Sequence, residues 1–257
     1  GAGGEVPIIL WSEKDKNIRV ISGQGPAPAE ASVETFRRLG IEQVPGIGLL
    51  PAAVPGAFGG WLTLLRNYGT WELADVLAPA IEYARNGFPF VARGVQAIYA
   101  VQDLFREHWP SSAEVWLPGG RLPRPGALFR LPGLANTYDR VLRTAQAEGS
   151  TRTEVIDAAL RCWYQGFVAK EIDAFYRNEK VRDSTGEAHG GLLRYEDMAA
   201  WSAGVEAPVT LDYGRYTVAK CGFWSQGPVF LQQLGMLRHA GLEAHAPHTA
   251  GFVHRIT

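Results

Sequence analysis

Apolar and polar residues alternate near the start of the chain and again near its end. Two short β-branched runs, 6–11 and 17–22, are separated by a charged stretch, which predicts a β-hairpin. Two further runs, 208–213 and 215–221, flank Gly214 and predict a second hairpin. The hairpins lie far apart in the sequence with a helical insertion between them. This order predicts an α+β layered fold in which helices cover sheet faces.

Apolar residues recur at helical spacing between the hairpins. Ser32 is a predicted N-cap for a short helix ending at Leu39. Further helices are predicted over 57–68, 72–86, 134–147, 151–177, 195–202 and 228–240. One face of the second of these should pack inward: Leu73, Val76, Leu77, Ala80, Ile81 and Ala84. Residues 109–133, rich in Pro, Gly and Arg, predict an irregular excursion over the surface.

Composition narrows the class of partner. The 257 residues are 46% hydrophobic, which predicts an ordered globular protein. The 25 basic and 26 acidic residues give a net charge of -1 without long like-charge runs, so neither nucleic acid nor an anionic membrane is an expected partner. No apolar run reaches membrane-spanning length. A small molecule or a protein is therefore the expected partner, and the compartment stays open between cytoplasm and a periplasmic or secreted location.

The metal-ligating residue types show no metal motif. Cys162 and Cys221 form no CxxC pair. Four histidines gather near the C-terminus at spacings that match no metal site: His239, His245, His248 and His254. We interpret them as solvated or capping histidines, and we expect no bound metal.

A series of short segments follows in a fixed order along the chain. They are Gly1-Ala2-Gly3-Gly4-Glu5, Gly23-Gln24-Gly25-Pro26-Ala27-Pro28, Val54-Pro55-Gly56-Ala57 before Trp61, Leu77-Ala78-Pro79-Ala80-Ile81 before Asn86-Gly87-Phe88-Pro89, Gly190-Gly191-Leu192-Leu193 with Glu196-Asp197-Met198, and Ser225-Gln226-Gly227-Pro228. Each is weak alone, because such turns occur in many folds. Their order and spacing make the set specific.

In this order the segments resemble the large-subunit portion of the gamma-glutamyltransferase family of N-terminal-nucleophile hydrolases. The resemblance covers nearly the whole chain. It implies a four-layer αββα sandwich to which the large subunit contributes most of the helices, with residues 1–257 as a single domain. The predicted strands are too few for a complete sandwich and a further helix starts near Thr257. We therefore expect polypeptide to follow.

The resemblance also implies where the catalytic nucleophile lies. In the family a precursor cuts itself, and a threonine becomes the N-terminus of the small subunit, with its own amine as general base. No segment here resembles the cleavage site, and Asp183-Ser184-Thr185 reads as an ordinary turn in a charged loop. The resemblance thus implies no catalytic residue in this chain, a small subunit from the same precursor, an αβ heterodimer, and no metal or organic cofactor.

Gln24 is the candidate substrate-binding residue. The family's large subunit usually supplies an arginine, in an Arg-Glu-x-Ala-Pro segment, that holds the donor's α-carboxylate. Aligned on Ala27-Pro28, this chain has Gln24 at the arginine position and Gly25 at the glutamate position. Replacing the arginine's bidentate, charged contact by a neutral amide costs about 1.5–3 kcal/mol of binding free energy for a carboxylate ligand. The affinity for a γ-glutamyl donor then falls roughly 10- to 100-fold. The alternative is that 23–25 is a plain turn and another residue grips the substrate.

Three other segments have structural interpretations. Gly1 to Gly4 lack the strand and Lys-Ser/Thr of a phosphate loop and should instead be backbone passing close to another element. Ser225 should cap the helix that follows it. Glu196 and Asp197 sit in a first helical turn, where acidic residues suit the dipole, so general acid catalysis is not expected there.

Three functional hypotheses remain open. The first is a gamma-glutamyltransferase-like amidohydrolase or acyltransferase, acting on a small gamma-glutamyl or related amide and placed in glutathione metabolism by the resemblance. The second is a cephalosporin-acylase-like hydrolase of a non-glutamyl amide, which Gln24 favours. The third is a non-catalytic homologue that binds a small amide or a partner protein. The residues do not decide between hydrolysis and transfer.

Overall fold

The computed structural model describes the backbone of residues 1–257 and every side chain except that of Glu243. Its contacts divide the chain into two units. Unit 1 comprises Gly1–Gln24, Pro55–Leu64 and Ser202–Thr257, and unit 2 comprises Gly25–Val54 and Leu65–Trp201. Such a division does not test whether 1–257 folds as a single domain, so that expectation stays a prediction.

The elements follow one another in mixed order. The strands are β1 (Val6–Ser12), β2 (Asn17–Gly23), β3 (Phe88–Pro89), β4 (Leu128–Phe129), β5 (Val181–Arg182), β6 (Ala188–His189), β7 (Gly204–Glu206), β8 (Val209–Tyr213) and β9 (Tyr216–Lys220). The helices are α1 (Val33–Arg38), α2 (Ala57–Tyr68), α3 (Leu73–Asn86), α4 (Ala92–His108), α5 (Pro110–Trp116), α6 (Pro132–Glu148), α7 (Arg152–Tyr164), α8 (Phe167–Asn178), α9 (Tyr195–Ala199), α10 (Gly227–Leu237) and α11 (Ala250–Ile256). Short 3-10 turns occur at Pro118–Gly120 and Leu242–Ala244. No helix of the described residues is both long and apolar enough to cross a membrane.

Unit 1 contains both predicted hairpins. β1 and β2 pair antiparallel, and β2 pairs on its other side with β7, where Val20 faces Glu206. Val20 and Ile21 of β2 are fully buried. β8 and β9 form a separate antiparallel pair, against which α10 packs. Both hairpins are confirmed, because alternating apolar side chains and the turn residues act locally.

Unit 2 is built mainly of helices, with α6 packed against α3 and α7. The inward face of α3 is narrower than predicted. Leu73, Leu77, Ile81 and Ala84 are buried, but Val76 is 41% exposed and Ala80 is also exposed. The prediction was wrong for these two, because the packed stripe follows only positions about one turn apart and leaves the flanking positions in solvent.

The predicted helix over 151–177 is two helices. Thr151 caps α7 in a capping box with Glu154. The chain then leaves the helix at Gln165 and Gly166 before α8 begins. A Cβ on Gly166 would lie 2.3 Å from the backbone oxygen of Cys162, so this break requires glycine. The single-helix prediction was wrong because the apolar spacing continues across a point where the backbone changes direction.

Residues 109–133 are more ordered than predicted. They contain α5, a 3-10 turn and β4, and Leu117 and Phe129 are buried. The Trp116 and Phe129 rings stack with centroids 5.7 Å apart, within a cluster that also contains Phe90 and Ile98. The prediction of a surface excursion was wrong because Pro110 begins a helix rather than breaking one.

The ends of the last helices also differ from prediction. α9 ends at Ala199 rather than at 202, and α10 ends at Leu237 rather than at 240. A further helix near the C-terminus is present as α11, capped by Thr249. The chain is 49% helical and also contains small sheets, which confirms the α+β class predicted from the sequence.

Candidate functional site

Gln24 directly follows β2 and is preceded and followed by glycines that allow no side chain. A Cβ on Gly23 would lie 2.6 Å from the backbone oxygen of Val6, and a Cβ on Gly25 would lie 2.0 Å from that of Val54. Glycine at position 25 therefore has a packing reason, because any side chain would displace backbone there. The Gln24 side chain is exposed and makes no hydrogen bond with any described group.

A cleft of about 640 Å³ lies in unit 1, and Gln24 forms part of its wall. This volume is in the range of small-molecule sites, which is about 300–1,000 Å³. The rest of the wall comprises Glu5, Pro7, Lys220, Cys221, Phe223, Trp224, Ser225, Gln226, Gly227 and Phe230. The cleft thus brings together two of the segments that the sequence singles out, the one at Gln24 and the one before α10.

The turn before α10 is tightly built. Ser225 Oγ donates to the backbone oxygen of Gly222 at 2.9 Å and accepts from the Gly227 N–H at 3.0 Å. The second bond satisfies the N–H of the first helical residue, but the N-cap is Gln226, so the prediction of Ser225 as the helix cap was off by one position. A Cβ on Gly227 would lie 2.1 Å from the backbone oxygen of Cys221. The helix can begin against the end of β9 only with glycine at this point.

Charged groups at the cleft are unevenly paired. The Glu206 carboxylate, on β7, accepts a hydrogen bond of 2.9 Å from Trp224 Nε1. The Lys220 ammonium lies over the Phe230 ring, 5.1 Å from its centroid. Burial raises the pKa of the Cys221 thiol, and Glu206 adds to this, while Lys220 opposes it. Cys221 is therefore a neutral thiol near pH 7, and a nucleophilic role does not suit it.

The predicted turn at Asp183 lies in unit 2 and is more buried than a charged loop. Asp183 is 4% exposed, and its carboxylate accepts from Thr185 Oγ1 at 2.6 Å and from His189 Nδ1 at 2.8 Å. Ser184 Oγ accepts from the Gly46 N–H at 3.2 Å. The turn is confirmed, and the structure adds that Asp183 of this charged loop is buried rather than solvated. The Thr185 hydroxyl donates to the Asp183 carboxylate and not to the His189 imidazole, so the cluster lacks the hydroxyl–imidazole contact of a catalytic triad.

His189, the third member of this group, was not among the predicted site residues. Burial, the largest single influence, raises the pKa of Asp183, but the hydrogen bonds from Thr185 and from His189, with the charge of His189, lower it by more. The net shift is downward, so Asp183 is ionised at neutral pH. No local sequence pattern indicated His189, because it reaches Asp183 only once β6 pairs with β5.

The remaining candidates have local roles. Asp197 accepts from the backbone N–H groups of Ala29 at 2.8 Å and Arg194 at 2.9 Å, which is the capping role expected of an acidic first turn. Gly4 accepts a hydrogen bond from the Ala57 N–H at 2.9 Å, but a Cβ on Gly1 or Gly3 would meet open space. The prediction of close backbone approach was wrong for those two glycines. Among the described side chains, no group of three or more His, Cys, Asp or Glu residues is placed to hold a metal ion.

Comparison with known proteins identifies the family. The family model described as Gamma-glutamyltranspeptidase matches residues 1–257. The oxamate amidohydrolase proenzyme of Klebsiella pneumoniae is 30% identical over 264 residues, covering 100% of this chain and 44% of the relative. The glutathione hydrolase-like YwrD proenzyme of Bacillus subtilis is 26% identical over 240 residues, covering 93% and 41%. The chain belongs to the gamma-glutamyltranspeptidase family, and it spans less than half the length of these relatives.

Solved structures share the fold. LmbA2991HD is 42% identical with a TM-score of 0.90, covering 100% of this chain and 43% of that one. The cephalosporin acylase from Bacillus halodurans is 28% identical with a TM-score of 0.82, covering 99% and 44%. These neighbours confirm the resemblance read from the sequence and the fold of the N-terminal-nucleophile hydrolase type. Several relatives are named proenzymes, as proteins that mature by cleavage are.

Proposed function

We propose that this chain is the large-subunit scaffold of an amide-cleaving hydrolase or acyltransferase and that the cleft at Gln24 is part of its acyl pocket. The attacking group is an N-terminal threonine supplied outside residues 1–257, by a small subunit of the same precursor. Its hydroxyl adds to the amide carbonyl, the amine leaves, and the acyl group passes to water or to an amine acceptor. No metal or organic cofactor takes part, because the threonine's own amine is the base.

The observation that carries this proposal is the position of Gln24 in the wall of a cleft of small-molecule size. The side chain aligned with the family's carboxylate-binding arginine thus faces a space that a substrate can fill. Its amide is unpaired with any described group, so it has free hydrogen-bonding capacity for a ligand. The plain-turn alternative for 23–25 explains the two glycines, but it gives no role to the amide.

The donor that suits Gln24 is an amide other than a γ-glutamyl one. A neutral amide group loses the charged, bidentate contact that arginine makes with a carboxylate. The names of the relatives include enzymes for γ-glutamyl amides and for other amides: glutathione hydrolase, oxamate amidohydrolase and cephalosporin acylase. Hydrolysis of a non-glutamyl amide in the manner of the cephalosporin acylase is therefore the second candidate. It is supported by 28% identity over 99% of the chain.

The first experiment measures the intact mass of the purified full-length gene product and sequences the N-terminus of any smaller fragment. The proposal expects two fragments, the smaller beginning with threonine. A single uncut chain with no such threonine would support the third hypothesis, a non-catalytic homologue that binds a small amide or a partner.

The role of Gln24 is tested on the matured protein with a Gln24→Arg variant. We expect the ratio of kcat/KM for γ-glutamyl p-nitroanilide to that for a neutral acyl p-nitroanilide to rise roughly 10- to 100-fold, because a charged fork replaces a neutral amide. Gln233→Arg is the matched control, since Gln233 lies exposed on α10 and outside the cleft wall. An unchanged ratio in Gln24→Arg would place Gln24 outside the donor pocket.

A further inference from the structure

Lys220 stands in the same cleft wall as Gln24, on a different element. It is the last residue of β9, and its side chain is half-buried against the ring of Phe230. The ring face attracts the ammonium and holds the long side chain over α10 instead of leaving it free in solvent. The positive charge therefore has a defined place beside the cleft.

This ammonium has no acidic partner among the described side chains. Two carboxylates lie in this region. That of Glu206 accepts a hydrogen bond from Trp224 Nε1, and that of Glu5 lines the cleft without an ion pair to Lys220. Taking a charge partly out of water costs free energy unless an opposite charge or hydrogen bonds compensate. A ligand carboxylate at Lys220 would supply that compensation.

The other polar groups of the wall favour the same kind of ligand. α10 begins at Gly227 in the cleft wall, and its 11 residues place the positive end of the helix dipole there. The Gln24 amide adds a neutral N–H donor. The aromatic residues Phe223, Trp224 and Phe230 offer apolar surface for the methylene groups of a short chain.

We propose that Lys220 is the residue that binds the substrate's carboxylate, in place of the arginine that Gln24 replaces. The acyl group that fits is then short and aliphatic, with a carboxylate at the end remote from the scissile amide. This inference rests on the proposed function for the assignment of the cleft to the acyl group. It makes Lys220 a specificity-determining residue and gives no role to Lys220 in the bond-breaking step.

The test is isothermal titration of the full-length gene product with succinate and with succinamide, two ligands of the same chain length that carry carboxylates or uncharged carboxamides at their ends. The wild type should bind succinate more tightly. In Lys220→Gln the affinity for succinate should fall roughly 10- to 100-fold while that for succinamide, which has no carboxylate, stays the same, and Lys220→Arg should keep the preference. Lys14→Gln is the matched control, because Lys14 is exposed in the β1–β2 turn and outside the cleft wall.

The result that overturns the inference is an unchanged preference for succinate in Lys220→Gln, or no preference in the wild type. The outcome is separable from the processing experiment. A protein that matures and cleaves amides while Lys220→Gln keeps its preference leaves the proposed function standing and removes Lys220 from the site. An uncut protein that binds succinate through Lys220 supports the inference about the cleft and removes the hydrolase.

Discussion

The cleft of unit 1 and the Asp183 cluster of unit 2 differ in how their polar and charged side chains are paired. In the cluster, Asp183 accepts from both Thr185 and His189, so each charge or hydroxyl has a partner inside the fold. In the cleft, Gln24 and Lys220 have no hydrogen-bonding or acidic partner among the described groups. Polar groups satisfied within the fold stabilise it, whereas unsatisfied groups at a concave surface are available to a ligand.

The strongest way to sharpen this contrast is to remove the charge at the centre of the cluster. Asp183→Asn should lower the free energy of unfolding by about 3 kcal/mol, because a buried ionised acceptor is lost and its donors are left poorly paired. Denaturant titration of the full-length protein measures it. Asp212→Asn is the control, since the Asp212 carboxylate also accepts from a threonine, Thr217 at 2.7 Å, but at an exposed site. Equal losses in the two variants would contradict a special role for the buried cluster.

The turn before α10, which forms part of the cleft wall, depends on close backbone packing at Gly227. Gly227→Ala should cost about 2 kcal/mol of stability, because the added methyl group meets the Cys221 carbonyl and the turn must shift. Gly235→Ala on the same helix is a matched change with open space around the new methyl group, and it should stabilise by about 0.5–1 kcal/mol. Thermal melting of both variants measures the difference. A Gly227→Ala variant as stable as the wild type would show that the turn before α10 can shift at little cost in free energy.

Acid should weaken the Asp183 cluster. The pKa of Asp183 is lowered in the folded state, so its stabilising contribution is present above the unfolded value of about 4 and is lost as pH falls through the folded pKa. The stability difference between wild type and Asp183→Asn should therefore shrink below about pH 4. Denaturant titrations at several pH values measure this smaller effect. A difference that stays constant down to pH 2 would show that the Asp183 charge is not the stabilising feature.

Local features of the fold could be predicted from sequence, and features that depend on distant contacts could not. The Ser32 cap was predicted correctly, because a cap acts within one helical turn. The break at Gly166 was not predicted, because it depends on space next to a backbone oxygen. The burial of Phe129 was missed for the same reason, since its partners come from other elements.

Gln24 and the turn at Ser225 could be predicted from the sequence, whereas Lys220 could not. Alignment of Ala27-Pro28 with the family segment located Gln24, and the turn at Ser225 was recognised as a helix start. Lys220 carries no such signal, because a lysine at the end of a strand is common on protein surfaces. Only the fold, which brings the end of β9 to the end of β2 across most of the chain, places the charge and the amide in one wall.

Because β2 pairs with β7, the sheet of unit 1 can be completed only late in the synthesis of the chain. Ser22 of β2 leaves the ribosome roughly 180 residues before its partner Gly204, which at 5–20 residues per second is a wait of about 10 to 35 s. The helices of unit 2 are translated within that interval and find their partners close by in the chain. Unit 1 therefore completes its three-stranded sheet last, with the nascent hairpin held open at one edge until β7 arrives.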